Sequence, residues 1–253
     1  MQIIEEISKN RINKSTNGSI LQKICLDKLQ VNPLPNKKSE IWRMANKSKL
    51  TRFLDYSLSD DFHKPNIPTI NKSQNVIRLI IGDHRTTNIK EKNWELKELD
   101  YQEIIDLIKQ KLIDSDTTQN WSNLLNHLLT NKQNICGLNI SGKEIPHLEI
   151  IANAKNNLFS SKTLILNIEK DTNVDISQIN VSDENCSLSN SSYIYIGENS
   201  QVNHGIVSLG KYKSHIINSL NVSQKKKSEY NLGSLQFKFD FARLEINIDQ
   251  IEG

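Results

Sequence analysis

From about residue 145 onward the chain carries no convincing helical pattern. Short β-forming runs recur instead, separated by Asn, Ser, Gly and Asp. Leu164, Leu166 and Ile168 alternate, and Val174-Asp175-Ile176, Ile179-Asn180-Val181, Tyr193 to Ile196, Gly205 to Leu209 and Ile216 to Val222 follow. Strands this short and this dense restrict the fold to a sandwich, a barrel or a β-solenoid.

The last stretch narrows that choice. Leu235, Phe237, Phe239 and Phe241 are apolar at odd positions, whereas Ala242, Leu244, Ile246 and Ile248 are apolar at even ones. A straight strand cannot change parity, because a one-residue slip turns every side chain over. A bulge or a corner can, and solenoid coils need corners. This reading sends Phe237 and Phe239 into the solenoid. The alternating strand then stops at "IDQIEG". Its edge would be open, so the expectation is a missing C-terminal part or a second chain over that edge.

The first half has a different texture. Ile20, Leu21, Ile24, Cys25 and Leu29 recur at helical spacing and predict a helix over 19–30. Pro33 and Pro35 end it, and Ser39 is placed to cap a short helix carrying Glu40, Trp42 and Arg43. "NVIRLIIGD" (75–83) reads as a buried strand ending in a Gly-Asp turn. Asp100 and Glu103 stand at capping-box spacing before a helix with Tyr101, Ile104, Ile105, Ile108 and Leu112 on its apolar stripe. Asn120 caps another helix with Trp121, Leu124, Leu125, Leu128 and Leu129 on one face, which leaves His127 off the stripe and exposed. The domain reading is therefore a mainly helical 1–144 with a small β element, and a β-coiled 145–253.

Composition excludes several functions. The net charge is +3 over 253 residues, and its longest cationic run is Lys225-Lys226-Lys227, a solvated loop and not the concentrated basic face of a nucleic-acid binder. No apolar stretch approaches the roughly 20 residues of a membrane helix, and "MQIIEEISKNR" is no signal peptide. Cys25, Cys136 and Cys186 are odd in number and far apart, which fits a reducing cytosol and a cytoplasmic protein. Phosphate-cradling loops, His or Cys ligand spacings and a nucleophile elbow are all absent from the sequence. His204, in "QVNHGIVSLG", reads as a hydrogen-bonded strand or turn residue. No catalytic, cofactor-binding or metal residue is nominated, and the residues describe a non-catalytic β-rich scaffold.

Several stretches, in order, resemble the SufB/SufD family of iron–sulfur cluster assembly proteins, and its SufD branch more closely. "LPNKKSEIWRMANKSKL" resembles the family's N-terminal segment, although Met44 and Ala45 stand where Tyr-Thr is common. "VIRLIIGD" is similar to the strand before the central helices, and "KTLILNIEKDTNVDI" and "SYIYIGENSQVNHGIVSLG" to early coils of the family's β-helix. "FDFARLEINIDQIEG" resembles a family strand with a central Arg, here Arg243.

The resemblance implies an α+β fold: a helical N-terminal region followed by a right-handed parallel β-helix, a single-stranded solenoid truncated at the C-terminus. It implies a SufB-like paralogue and a SufC-like ATPase as partners, with no nucleic acid and no membrane. It places no cofactor in this stretch, only an iron–sulfur cluster held transiently in the complex. The family's interface histidine and its SufC-binding helices lie beyond Gly253, so no site residue is carried over. Two alternatives remain. One is SufB itself. The other is a solenoid carbohydrate-active or sugar-binding protein, for which Asp171, Asp175, Asp183 and Glu184 would have to gather.

Overall fold

The computed structural model describes residues 18–31, 42, 45–59, 64–67, 75–83, 88–113, 121–129 and 131–251. The N-terminal half supplies α1 (Gly18–Val31), α2 (Lys47–Phe53), β1 (Ser57–Leu58), β2 (Val76–Ile80), β3 (Ile89–Lys90), β4 (Trp94–Glu98), α3 (Tyr101–Ile113) and α4 (Trp121–Leu129). Nine strands follow: β5 (Ile135–Gly142), β6 (His147–Ala154), β7 (Leu158–Ile168), β8 (Asn173–Ser182), β9 (Ser187–Ile196), β10 (Gln201–Leu209), β11 (His215–Gln224), β12 (Glu229–Phe237) and β13 (Phe241–Gln250).

From β5 onward odd strands build one sheet and even strands the other, in the orders β13-β11-β9-β7-β5-β4-β3 and β12-β10-β8-β6-β2. We refer to these as sheet A and sheet B. From β5 onward every pairing is parallel between strands two apart in sequence. The chain is thus a parallel β-solenoid of about four turns spanning 135–250. Its ladder starts at Ile135 and also recruits β2 from the N-terminal half, which pairs with β6 from Val76↔His147 onward.

The coil length is constant as far as β12. Ile135 pairs with Thr163, Phe159 with Ser187 and Ser187 with His215 on sheet A. Leu148 with Ile176 and Val202 with Tyr230 keep the same step on sheet B. Side chains bonded from coil to coil repeat it: Asn167 to Asn139 on sheet A and Asn203 to Asp175 on sheet B are each separated by 28 residues. Each half-coil ends in a residue of positive φ, and these recur at equal intervals, two to a coil: Asn157, Asp171, Asn185, Asn199, Lys213 and Lys227. Asn and Asp tolerate this left-handed conformation better than other non-glycine residues, so the polar spacers between β runs are the corners of the coil.

Even-numbered residues of both sheets face the interior. Leu164, Ile194, Leu220, Ile150, Ile176 and Ile206 are all buried there. The interior is not wholly apolar: Asn190 Nδ2 donates to Asn180 Oδ1 (3.0 Å), and Asn218 Nδ2 donates to Ser208 Oγ (3.1 Å). Such a column is tolerated because its amide donors find partners across the coil, although Asn190 Oδ1 is left without one.

A corner at Lys238 to Asp240 separates β12 from β13, but the inward face does not change parity there, because even-numbered residues point inward on both strands. His215 pairs with Phe241 across it, and the coil-to-coil step shortens to 26 residues, as between Asn221 and Asn247. The expected inward placement of the odd apolar residues of β12 is therefore overturned. Leu235 and Phe237 stack on Val207 and Leu209 on the outer side of sheet B and are 57% and 53% exposed. Only Phe239 packs against the interior cluster. The reason is that Tyr230 and Leu232 continue the inward columns of Val202 and His204, so the odd residues of β12 must face out.

The predicted helices are present as α1, α3 and α4, and the 75–83 strand as β2. Asp100 N–H donates to Glu103 Oε2 (2.9 Å) and Asp100 Oδ1 accepts from Gln102 N–H (2.7 Å), which fixes the start of α3. Ser39, Glu40, Arg43 and the Asn120 cap lie outside the described residues. His127 is not exposed: its relative accessibility is 0%.

Candidate interaction surface

The two sheets have outer faces of opposite character. Sheet A is covered by α4, every residue of which is buried. The polar side of α4 turns to the sheet because the sheet offers matching polar groups. Asn126 Nδ2 donates to the Lys162 carbonyl (2.9 Å) and to Thr163 Oγ1 (2.8 Å), and Ser161 Oγ donates to Asn126 Oδ1 (2.6 Å). Ser191 Oγ donates to Asn123 Oδ1 (3.0 Å), and Asn123 Nδ2 donates to Asn221 Oδ1 (3.2 Å). His127 Nε2 lies 2.5 Å from the Tyr193 hydroxyl, and burial lowers its pKa to about 3, so the imidazole is neutral.

Trp42 is 1% exposed and belongs to this same layer. Its ring meets Trp121 of α4 edge-on at 5.5 Å, and the Arg243 guanidinium of β13 lies 3.9 Å from its centroid. Arg243 Nε donates to Glu245 Oε1 at 2.6 Å. The tryptophan therefore clamps the helical layer to the last coil through packing and a cation–π contact.

On the outer side of sheet B, among the described residues, no helix is packed. Its columns run parallel to the solenoid axis and differ sharply. Near the strand starts stand Asp175, Asn203 and Asn231: Asn203 Nδ2 donates to Asp175 Oδ1 (2.7 Å) and Asn231 Nδ2 donates to Asn203 Oδ1 (3.0 Å). The next column is Ser177, Gly205 and Gly233. A Cβ added at Gly233 would meet nothing within 4 Å, so this column is open at its β12 end. Beyond it come Ile179, Val207 and Leu235, then Val181, Leu209 and Phe237. The corner after β10 adds Tyr212, which is 67% exposed. Among the described residues, Leu209, Tyr212, Leu235 and Phe237 account for four of the seven large exposed apolar side chains, so the apolar surface is concentrated here. Sequence reading missed it because an exposed apolar column looks the same, residue by residue, as an inward one.

The groups that could carry chemistry do not converge. Burial raises the thiols of Cys25, Cys136 and Cys186 to about 12, so none is a ready thiolate. Asp171 sits at one corner, and Asp183 at the opposite one, where Lys211 Nζ lies 2.8 Å away. The whole of β8 separates them, so the carboxylates named above are not gathered. Among the described residues no group of three or more His, Cys, Asp or Glu side chains is arranged to hold a metal ion. His204 is a buried strand residue whose Nδ1 lies 2.8 Å from the Tyr230 hydroxyl, and burial lowers its pKa to about 4. No described helix is long and apolar enough to cross a membrane.

The fold and these surfaces define a β-solenoid with one face occupied by its own helices and one face that, among the described residues, carries no helix. Comparison with protein-family models and with curated proteins returns no match to the chain.

Proposed function

We propose that the chain is a SufD-like scaffold component of the SUF iron–sulfur cluster assembly machinery. In this reading the solenoid is right-handed, as nearly all parallel crossovers are. The protein is cytoplasmic and pairs with a SufB-like paralogue. It acts with a SufC-like ATPase that supplies the nucleotide hydrolysis, and the cluster is cargo of the complex.

One observation carries the reading. The family resemblance rests on separate sequence stretches, and two of them meet in space: Trp42 of "LPNKKSEIWR" stacks on Arg243 of "FDFARLEINI" at 3.9 Å. That contact joins the N-terminal segment to the last coil, as a helical region packed on a β-helix requires. A solenoid whose thiols are all protonated also suits a scaffold better than a self-sufficient cluster binder.

Affinity purification of the tagged protein from its own cells tests this. The expected result is stoichiometric recovery of a SufB-type and a SufC-type chain. Recovery without either, in cells that express both, would sink the proposal.

A further inference from the structure

We propose that the helical layer is a detachable cover on sheet A, and that protonation of His127 at the seam between them releases it. The seam is built differently from the cores on either side of it. The leucines of α4 share one apolar cluster with Leu21, Cys25, Leu26 and Leu29 of α1. Asn123, Asn126 and His127, spaced i, i+3 and i+4 on the other side of α4, turn to the sheet. Phe159, Ile165, Tyr193 and Ile217 add apolar contact from below. Beside them a column of hydroxyls, Thr163, Ser191 and Ser219, runs across β7, β9 and β11. Water solvates such groups as the helix does, so parting this seam costs less than opening either apolar core.

The seam also leaves polar atoms unpaired. His127 Nδ1 and Ser219 Oγ are buried with no hydrogen-bond partner among the described residues, and both regain water when the cover lifts. His127 makes the seam sensitive to acid. Its Nε2 meets the Tyr193 hydroxyl, so a docked imidazolium would hold a second N–H, at Nδ1, with nothing to receive it. No charged side chain among the described residues compensates. From α1 comes Cys25, on which Lys28 acts; from β7, Ser161 and Thr163; from β9, Tyr193; from β11, Asn221. Burial raises both the Cys25 thiol and the Tyr193 phenol, so neither carries charge near neutrality.

Burial alone lowers the docked His127 from 6.5 to about 3. Below pH 6.5 the released form therefore binds the proton that the docked form refuses, and falling pH favours release. Between pH 7.5 and 5.0 the balance shifts by about thirtyfold. Two other groups of this layer titrate. His215 of β11, its ring 5.9 Å from Tyr56, is also lowered by burial, although Asp240 at 3.5 Å works against this, so it adds to release. Glu245 of β13 is raised by burial against the pull of Arg243 and Ser122, binds its proton more readily when docked, and opposes release at the acid end of the range. None of this rests on the scaffold reading, and either can fail without the other.

Thiol labelling of the full chain with 4,4′-dithiodipyridine, which still reacts in acid, reads the release. Cys25 lies in the helical layer, and Cys186 lies inside the solenoid as an internal control. On passing from pH 7.5 to 5.0 the Cys25 rate, corrected with a free thiol, should rise at least about tenfold while Cys186 stays protected. His127→Gln, whose amide still reaches Tyr193 but takes no proton, should remove most of the rise; His127→Phe replaces it if circular dichroism shows that it does not fold. An unchanged Cys25 rate overturns the proposal. So does an equal rise at Cys25 and Cys186, which means that acid unfolds the chain as a whole. A rise that persists in the His127 variant assigns release to another group and overturns it too. Failure of both variants to fold at pH 7.5 would make the imidazole part of the fold itself and rule out a detachable cover.

Discussion

The corner residues show how one backbone requirement is written into side-chain choice. Six evenly spaced positions, two to a coil, hold positive φ, and four are Asn or Asp while two are Lys. A residue with an ordinary Cβ loses about 1–2 kcal/mol in the left-handed region, and Asn or Asp recovers part of this through local hydrogen bonding. Lys227, at φ 57°, lies exposed in the solvated lysine run. Lys227→Asn should therefore stabilise the protein by about 1 kcal/mol, read as a rise in the urea midpoint at constant slope. A drop in stability would show that the lysine contributes something its exposed position does not reveal.

At the scale of the element, the direction of a strand's side chains is settled by its ladder neighbours and not by its own alternation. Phe237 stacks on Leu209 outside the solenoid, whereas Ile206 of β10 is 1% exposed inside it. Phe237→Ala should change stability by less than about 1 kcal/mol. Ile206→Ala should cost about 2–5 kcal/mol, because it leaves a cavity in a close-packed column. Equal costs in thermal or urea unfolding would restore the inward reading of Phe237. The alternation in β12 was legible in the sequence, and so was the corner after it. Which parity faced inward was not, because β12 carries apolar residues on both sides: Tyr230 and Leu232 within, Leu235 and Phe237 without. The same limit applies to α4. Its Leu124/Leu125/Leu128/Leu129 stripe is plain, but the burial of His127, Asn123 and Asn126 depends on hydroxyls and amides contributed by β7, β9 and β11. Those partners lie 35 to 98 residues away, beyond the reach of any local pattern. The repeat of the coil was hidden for a related reason: its equivalent positions alternate between Leu or Ile and Asn or Ser, as in Leu164, Ser192 and Leu220.

In the whole molecule these choices produce a gradient of stability along the solenoid axis. Solenoid coils contact only their neighbours, so a strand paired on both sides opens at greater cost than one paired on a single side. β9 and β11 each lie between two parallel neighbours, whereas β12 and β13 end their sheets. The last strand is itself uneven. Its first half is held to the helical layer by Phe241, by Arg243 on Trp42 and by Lys49 paired with Asp240 at 3.3 Å. Its second half exposes Ile246 and Ile248 by 45% and 49%. Amide hydrogen exchange should therefore be slowest in β9 and β11 and fastest, among the coils, from Ile246 to Gln250. Phe241 to Glu245 should fall between them. Trp42→Ala should remove that intermediate protection and leave β9 largely unchanged, since the clamp acts on β13 from outside the solenoid. Uniform exchange across all strands would mean that the coils and the helical layer open only together, and that Trp42 stabilises the fold as a whole and not its last coil.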